Sequence, residues 1–367
     1  MLKIKFVVKD VIVVMLFGII FLILNLLFSS YTYHVASAPR PKQFDENWTS
    51  SDIQTENTGK WHVRFVNSES VLAKTATLIH KRAYNITTRS GKCEKRLPQV
   101  LVLGVWKCGT RELTDFLSIH PHVVVKTKPY EPNYFSKENL DDTAYSKYRQ
   151  IMPCSYKDQL TLVKNPWYFS SGKYADRIHK FNSSLKMIVL VREPVARLLS
   201  SVTFNFQGTS RLRIKYRNNI NRYFRSSVFG PNNSIIESVD HVKYSRYIEG
   251  YTEYVKHFKR EQLYFIDALD FKRDPYKVIH NLESFLGIQH FVKENHFAYN
   301  PDKNFYCLRH PDVTSNGSTA ACYANTRGRT NVTKKLRIDE QTNEKLKNYF
   351  KPYNERFFEA FGSRFDW

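Results

Sequence analysis

The sequence predicts an α/β protein built on a central parallel sheet flanked by helices. Three observations predict it. Residues 101–103 are apolar and lead through Gly104-Val105-Trp106-Lys107-Cys108-Gly109 into a stretch where Leu113, Phe116 and Leu117 recur at helical spacing. This is a strand–loop–helix of the phosphate-binding-loop type. Residues 187–191 (Met-Ile-Val-Leu-Val) form a continuous apolar run, the pattern of a strand covered on both faces. Strand-like and helix-like runs then alternate, which implies right-handed crossovers within one sheet. One N-terminal transmembrane helix is expected to precede this body.

Lys3, Lys5 and Lys9 precede residues 11–28, an uncharged apolar run broken only by Asn25, and the next charge is Arg40. The run has the length of a bilayer-spanning helix, and lysines on its N-terminal side alone predict a cytoplasmic tail (1–10), a transmembrane signal anchor (11–29) and a lumenal remainder. Ala36-Ser37-Ala38 resembles a signal-peptidase site, but the apolar run is long for a cleaved signal and Pro39 would follow the cut. Polar residues 30–95 read as a lumenal stem, and 96–367 as the folded body. Within it, 100–105 reads as a strand, 112–119 as a helix ending before His120-Pro121, and 123–125 as a short strand. Tyr130 to Phe135 reads as a loop. Residues 160–163 form a strand running into Lys164-Asn165-Pro166, and 186–191 one that ends in Arg192-Glu193-Pro194 before a helix over 195–202. Residues 205–235 read as irregular and basic, with Arg211, Arg213, Lys215, Arg217, Arg222 and Arg225. Helices are expected over 241–258, with Tyr247, Ile248, Tyr251 and Tyr254 as core, over 276–285 and over 339–361. A strand is expected over 263–266.

The chain of 367 residues carries a net charge of +22 and 15% aromatic residues. Such a balance favours an anionic partner. A lumenal location excludes nucleic acid and leaves a polyanionic sugar or a phosphorylated ligand. It also permits glycosylation, with sequons at Asn47, Asn85, Asn182, Asn232, Asn316 and Asn331. Of five cysteines at least one lacks an intrachain partner; Cys93 and Cys154 are one open pairing. No CxxC or His/Cys cluster has metal-ligand spacing and none of the 12 histidines forms an HExxH pair, so no metal is expected.

The first loop is an anion cradle. Backbone amides and a helix start converge on one point, and Lys107 adds a mobile cation. It is not a nucleotide-hydrolysing loop, because Gly104-x4-Gly109 is followed by Thr110 and the lysine lies inside the loop. Arg192 occupies the equivalent strand-end position, where ligands of such sheets bind.

Taken together, Gly104-x-x-Lys107-x-Gly109-Thr110-Arg111, Glu131-Pro132, Lys164-x-Pro166-x-Tyr168-Phe169, Arg192-x-Pro194-Val195-x-Arg197-x-x-Ser200, Cys307 with Cys322, and Arg327-Gly328-Arg329-Thr330 resemble the Golgi carbohydrate sulfotransferases. They are most similar to the heparan sulfate glucosamine 3-O-sulfotransferases, over roughly 97–367. The resemblance implies the sulfotransferase fold, a Golgi membrane location of single-pass type II, and 3′-phosphoadenosine 5′-phosphosulfate as donor without a metal. It implies a glycosaminoglycan acceptor, heparan sulfate first, with a chondroitin or dermatan N-acetylgalactosamine acceptor as the alternative. Lys107, Cys108, Gly109, Thr110 and Arg111 would hold the 5′-phosphosulfate, Arg192 and Ser200 the 3′-phosphate, and Arg327, Gly328, Arg329 and Thr330 would cover the donor. Glu131 would be the general base. Lys107 would offset charge on the leaving phosphate, and Lys164 would serve the donor sulfonate or the acceptor. Cys307 and Cys322 would be disulfide-bonded. The family's usual Glu-Pro-His-Phe-Phe-Asp reads here as Glu131-Pro132-Asn133-Tyr134-Phe135-Ser136, which leaves the acceptor position open. It also keeps a lapsed, glycan-binding membrane protein as a further alternative.

Overall fold

A computed structural model describes residues 91–126, 131–136, 140–301, 304–309, 320–321 and 336–367. The expected tail, anchor and all but the last residues of the stem lie outside the described residues. So do Asn47, Asn85, Asn316, Asn331, Cys322 and residues 327–330. No helix among the described residues is long and apolar enough to cross a membrane.

The core is a five-stranded parallel sheet of β1 (Val100–Gly104), β2 (Val123–Val125), β3 (Leu160–Lys164), β4 (Lys186–Val191) and β5 (Leu263–Asp267), in the order β2-β3-β1-β4-β5. Val102, Leu103 and residues 187–191 have no accessible surface, as expected of strands sandwiched between helical layers. The chain leaves β1 toward β2 on one side, whereas β4 is followed by β5 on the other. The connections thus diverge between β1 and β4, and a crevice opens beyond their carboxyl ends.

The helices that pack around this sheet and its crevice include α1 (Thr110–Leu117), α2 (Pro194–Gly208), α3 (Tyr247–Val255), α4 (Pro275–Leu286) and α5 (Glu340–Phe361). The expected helix over 241–258 is two: Asp240–Lys243, then α3, with the break at Tyr244-Ser245-Arg246. Ser245 is withdrawn from the helical pattern because its hydroxyl donates to the Pro194 carbonyl (3.0 Å) and accepts from Arg197 (2.6 Å). Residues 205–235 are not irregular. They contain the end of α2 and helices Ser210–Lys215 and Ile220–Val228. Asn219 caps the latter by accepting from the Arg222 amide (3.0 Å). Its apolar residues Tyr223, Phe224 and Val228 pack with Val195, Leu198 and Val202 of α2 and with Leu346 and Phe350 of α5. The basic residues between them obscured that spacing.

A small antiparallel sheet, β6 (Phe297–Asn300), β7 (Phe305–Arg309) and β8 (Ala320–Ala321), closes the other flank. Its Phe297 and Phe305 lie 5.0 and 6.1 Å from Phe116 of α1. Helix α5 starts at Asp339, which accepts from the Thr342 amide, and ends in Gly362. The chain then folds back until the Trp367 indole donates to Asp267 at the end of β5 (2.9 Å).

Cys93 and Cys154 are joined by a disulfide, and Glu94–Lys95 pairs with Cys154–Ser155. The last stem residues are therefore tied to the body. Closing a loop of 61 residues contributes about 4 kcal/mol in the chain-entropy account. Cys93→Ser should lower the melting temperature measured by circular dichroism without changing the spectrum of the folded protein.

Candidate active site

At the end of β1 the backbone passes very close to the turn after β3. A Cβ on Gly104 would lie 3.0 Å from the Pro166 carbonyl oxygen and 3.2 Å from Phe169 Cβ, so only glycine fits. The Val105 amide donates to the Leu190 carbonyl (2.8 Å), clipping the loop to β4. Lys107 (φ 74°) and Gly109 (φ 95°) are both left-handed. They turn the chain so that α1 begins at Thr110 with no side chain capping its first amides. Such an N-terminus is suited to an anion.

The Lys107 side chain lies against α2, with Nζ 4.0 Å above the centre of the Phe204 ring. Burial pushes its ammonium down to about 8, with Arg192 adding to the shift and Glu112 opposing it. Trp106 meets Phe204 edge-on at 5.8 Å and stacks on His241 at 6.5 Å. Cys108 is buried, and burial pushes its thiol up to about 11. It is a poor nucleophile and fills space within the loop.

Arg192 follows β4. The neighbouring Glu193 does not pair with it; the Glu193 carboxylate accepts from the amides of Val195 and Ala196 and caps α2. The turn is held instead by Tyr247, which the sequence pattern assigned to the core alone. Its hydroxyl donates to the Arg192 carbonyl (2.6 Å) and accepts from the Arg192 amide (3.2 Å). It also lies 4.0 Å from Cys108 Sγ, so one hydroxyl touches both basic turns. Ser200 lies one helical turn before Phe204 on α2, on the side of that helix that meets the Lys107 loop. Arg197, unassigned in the sequence, is fully buried. It donates to Ser245 Oγ (2.6 Å) and to the His241 carbonyl, while its other terminal nitrogen has no partner. His241 is held neutral, its imidazolium pushed down to about 4 by burial and by Arg197.

The third wall comes from β3. Lys164 is its last residue, in register with Val102 of β1, and is buried. It donates to Glu131 Oε1 at 2.5 Å. Sequence reasoning gave these two separate tasks; the structure pairs them. Glu131 is 31% exposed on its side chain. Its segment is fixed by Asn165 and Tyr168, which donate to the Pro132 carbonyl (3.2 and 2.8 Å), and by Arg177 on the Phe135 carbonyl (3.0 Å). Tyr134 stacks on Tyr148 at 3.9 Å. Asn133 and Ser136 are exposed and bonded to each other, Ser136 Oγ donating to the Asn133 carbonyl (2.7 Å).

The structure thus brings Lys107, Cys108, Gly109, Thr110 and Arg111 to the end of β1, Arg192 and Ser200 to β4 and its helix, and Lys164 with Glu131 to β3. All lie at the carboxyl edge of the sheet. Arg327, Gly328, Arg329 and Thr330 are outside the described residues. Cys307 is a half-cystine in β7 whose expected partner, Cys322, is likewise outside. Asn182 closes helix Ala175–Phe181, its side-chain oxygen accepting from the Ser184 amide, whereas Asn232 is exposed on a turn. Sequence reasoning missed Phe204, Arg197 and Tyr247. Only Arg197 carried a signal, as a charged residue on the apolar face of α2.

Affinity for a phosphate-bearing nucleotide, measured by calorimetry, should fall as pH rises above about 8, where Lys107 loses its proton. Lys107→Arg, which stays charged, should flatten that dependence. Tyr247→Phe should lower stability by about 1–2 kcal/mol through the unsatisfied Arg192 turn and weaken the same nucleotide.

A family model described as the sulfotransferase domain matches residues 97–363. The chain is 29% identical over 274 residues to mouse heparan sulfate glucosamine 3-O-sulfotransferase 5, covering 74% of this chain and 75% of that protein. It is 29% identical over 278 residues to human heparan sulfate glucosamine 3-O-sulfotransferase 3B1, covering 76% and 67%. A solved sulfotransferase from Alicyclobacillus acidocaldarius overlays with a TM-score of 0.49 at 19% identity, covering 74% of this chain and 98% of that one. With 97–363 matched, this chain belongs to the sulfotransferase domain family.

Proposed function

We propose that the chain transfers a sulfonate group from 3′-phosphoadenosine 5′-phosphosulfate to a glycosaminoglycan hydroxyl, the glucosamine 3-O position of heparan sulfate. The observation that carries this is the meeting of the Lys107 loop and the Arg192 turn at adjacent strand ends, beside the Glu131–Lys164 pair. The names of the relatives support the acceptor. When bound, the donor supplies a sulfonate on a phosphate leaving group.

The residues present fit such a donor. Arg197 keeps a buried nitrogen without a protein partner, and among the described residues neither Lys107 nor Arg192 has a carboxylate in an ion pair. Arg192 and Ser200 would hold the 3′-phosphate, the loop of Lys107, Cys108, Gly109, Thr110 and Arg111 the 5′-phosphosulfate, and Arg327, Gly328, Arg329 and Thr330 would cover it. Arg suits bidentate contact with phosphate. Lys107 offsets charge gathering on the leaving phosphate oxygen, in a site where burial strengthens such interactions. Glu131 takes the proton of the sugar hydroxyl at its carboxylate. Lys164 orients that carboxylate by direct pairing. The exposed Asn133 and Ser136 line the approach of the acceptor.

The reading extends to the rest of the chain: a cytoplasmic tail over 1–10, an anchor over 11–29 and a stem over 30–95, with the enzyme in the Golgi lumen. A Cys307–Cys322 disulfide and glycans on Asn47, Asn85, Asn182, Asn232, Asn316 and Asn331 fit that compartment. Basic residues Arg211, Arg213, Lys215, Arg217, Arg222 and Arg225 suit an anionic polymer near α2.

The test incubates the protein with radiolabelled donor and separate heparan, chondroitin and dermatan sulfates, followed by disaccharide mapping. Label at glucosamine 3-O is expected. Label on N-acetylgalactosamine alone would reassign the acceptor, and donor binding without transfer would make the protein a glycan binder. Glu131→Gln should keep donor affinity while turnover falls by about 10²–10⁴-fold. Undiminished turnover would remove Glu131 from the chemistry.

A further inference from the structure

Away from the site, His280 and Glu283 lie one turn apart on α4 and meet His290 from the segment after it. One ligand atom from each falls within 4.8 Å of the others. We propose that these three side chains form a structural site for a divalent transition metal of the zinc type.

Glu283 is fully buried. Its Oε1 accepts from the amides of Phe291 (3.2 Å) and Val292 (2.9 Å), which fixes the carboxylate so that Oε2 faces His290 Nδ1 at 3.1 Å. Ligand atoms on a tetrahedral zinc lie about 3.3 Å apart, given metal–ligand bonds of about 2.0–2.1 Å. The second imidazole nitrogen also has a place. His290 Nε2 is 3.3 Å from Ser284 Oγ, which in turn donates to the His280 carbonyl (3.4 Å). A hydroxyl that accepts the outer N–H is what selects Nδ1 as the coordinating atom. The His280 ring is stacked on that of His290 at 3.7 Å and 11°. It has only to fan away from its neighbour to present a nitrogen to the same ion.

His120 lies beside the same carboxylate. Its Nδ1 accepts from the His122 amide (3.0 Å) and its Nε2 lies 2.8 Å from the Gln289 carbonyl and 3.6 Å from Glu283 Oε1. Two imidazoles with one buried carboxylate favour zinc or its neighbours over calcium or magnesium. An ion here would pin the C-terminal turn of α4 to the segment leading into β6, whose Phe297 supports α1. Its effect would be on stability, and it is independent of the proposed transfer reaction.

The test uses the full chain, stripped with a chelator and dialysed. Zinc titration by calorimetry should give one ion per chain and a higher melting temperature, and cobalt should give the visible bands of a tetrahedral site. His290→Ala, whose ring is half exposed, should keep the circular dichroism spectrum of the metal-free protein and lose at least about tenfold in zinc affinity. Glu283→Gln should do the same if it folds, and the His280→Ala, His290→Ala double variant decides the matter if it does not. Absence of zinc binding by the wild-type chain, or equal binding by His290→Ala, would overturn the site. The latter would mean that other histidines take the metal.

Discussion

Positive charge is concentrated where β1 and β4 end, and the fold holds it there with neutral dipoles. Lys107 rests on the Phe204 ring, the Arg192 turn on the Tyr247 hydroxyl, and Arg197 on Ser245 and the His241 carbonyl. Burying cations without carboxylates is costly. The cost is visible in Lys107, whose proton is held more weakly than in water. Such an arrangement suits phosphates, because among the described residues no carboxylate is ion-paired with Lys107 or Arg192. Glu112 is the exception, close enough to Lys107 to oppose the shift.

The sheet order makes this concentration possible. Because the connections diverge between β1 and β4, two loops that are far apart in sequence lie side by side without a crossover above them. Tyr247 then ties the loops through a single hydroxyl, so that a displacement of one is felt by the other. On the opposite side of β1, the pairing of Lys164 with Glu131 brings the proposed base to the same edge. Its exposure leaves it open to an acceptor, while the hydrogen bonds to Pro132 and Phe135 keep its backbone in place.

The parallel sheet and both basic turns were legible because apolar strand runs, glycines and strand-end cations leave local patterns. What was not legible depends on contacts across the fold. Tyr247 has the spacing of a core residue, and nothing local announces that its hydroxyl braces Arg192. The Glu131–Lys164 pair joins positions 33 residues apart. Residues 220–228 were hidden by arginines that occupy only the outer face of their helix. The break at Ser245 arises from hydrogen bonds to Pro194 and Arg197, far earlier in the chain. His280 and Glu283 sit at helical spacing, yet a search confined to cysteine–histidine patterns passes over them. Membrane attachment, the loop around 327–330 and the Cys322 half of the expected disulfide rest on sequence.

Lys107 and Arg192 act together only if their two turns form one site for a doubly phosphorylated nucleotide. Calorimetric titration with adenosine 3′,5′-bisphosphate, the donor without its sulfonate, tests this most directly. One nucleotide per chain is expected, displaced by the phosphosulfate donor and lost on changing either Lys107 or Arg192 to alanine. Absence of binding, or binding that both variants retain at full strength, would contradict it.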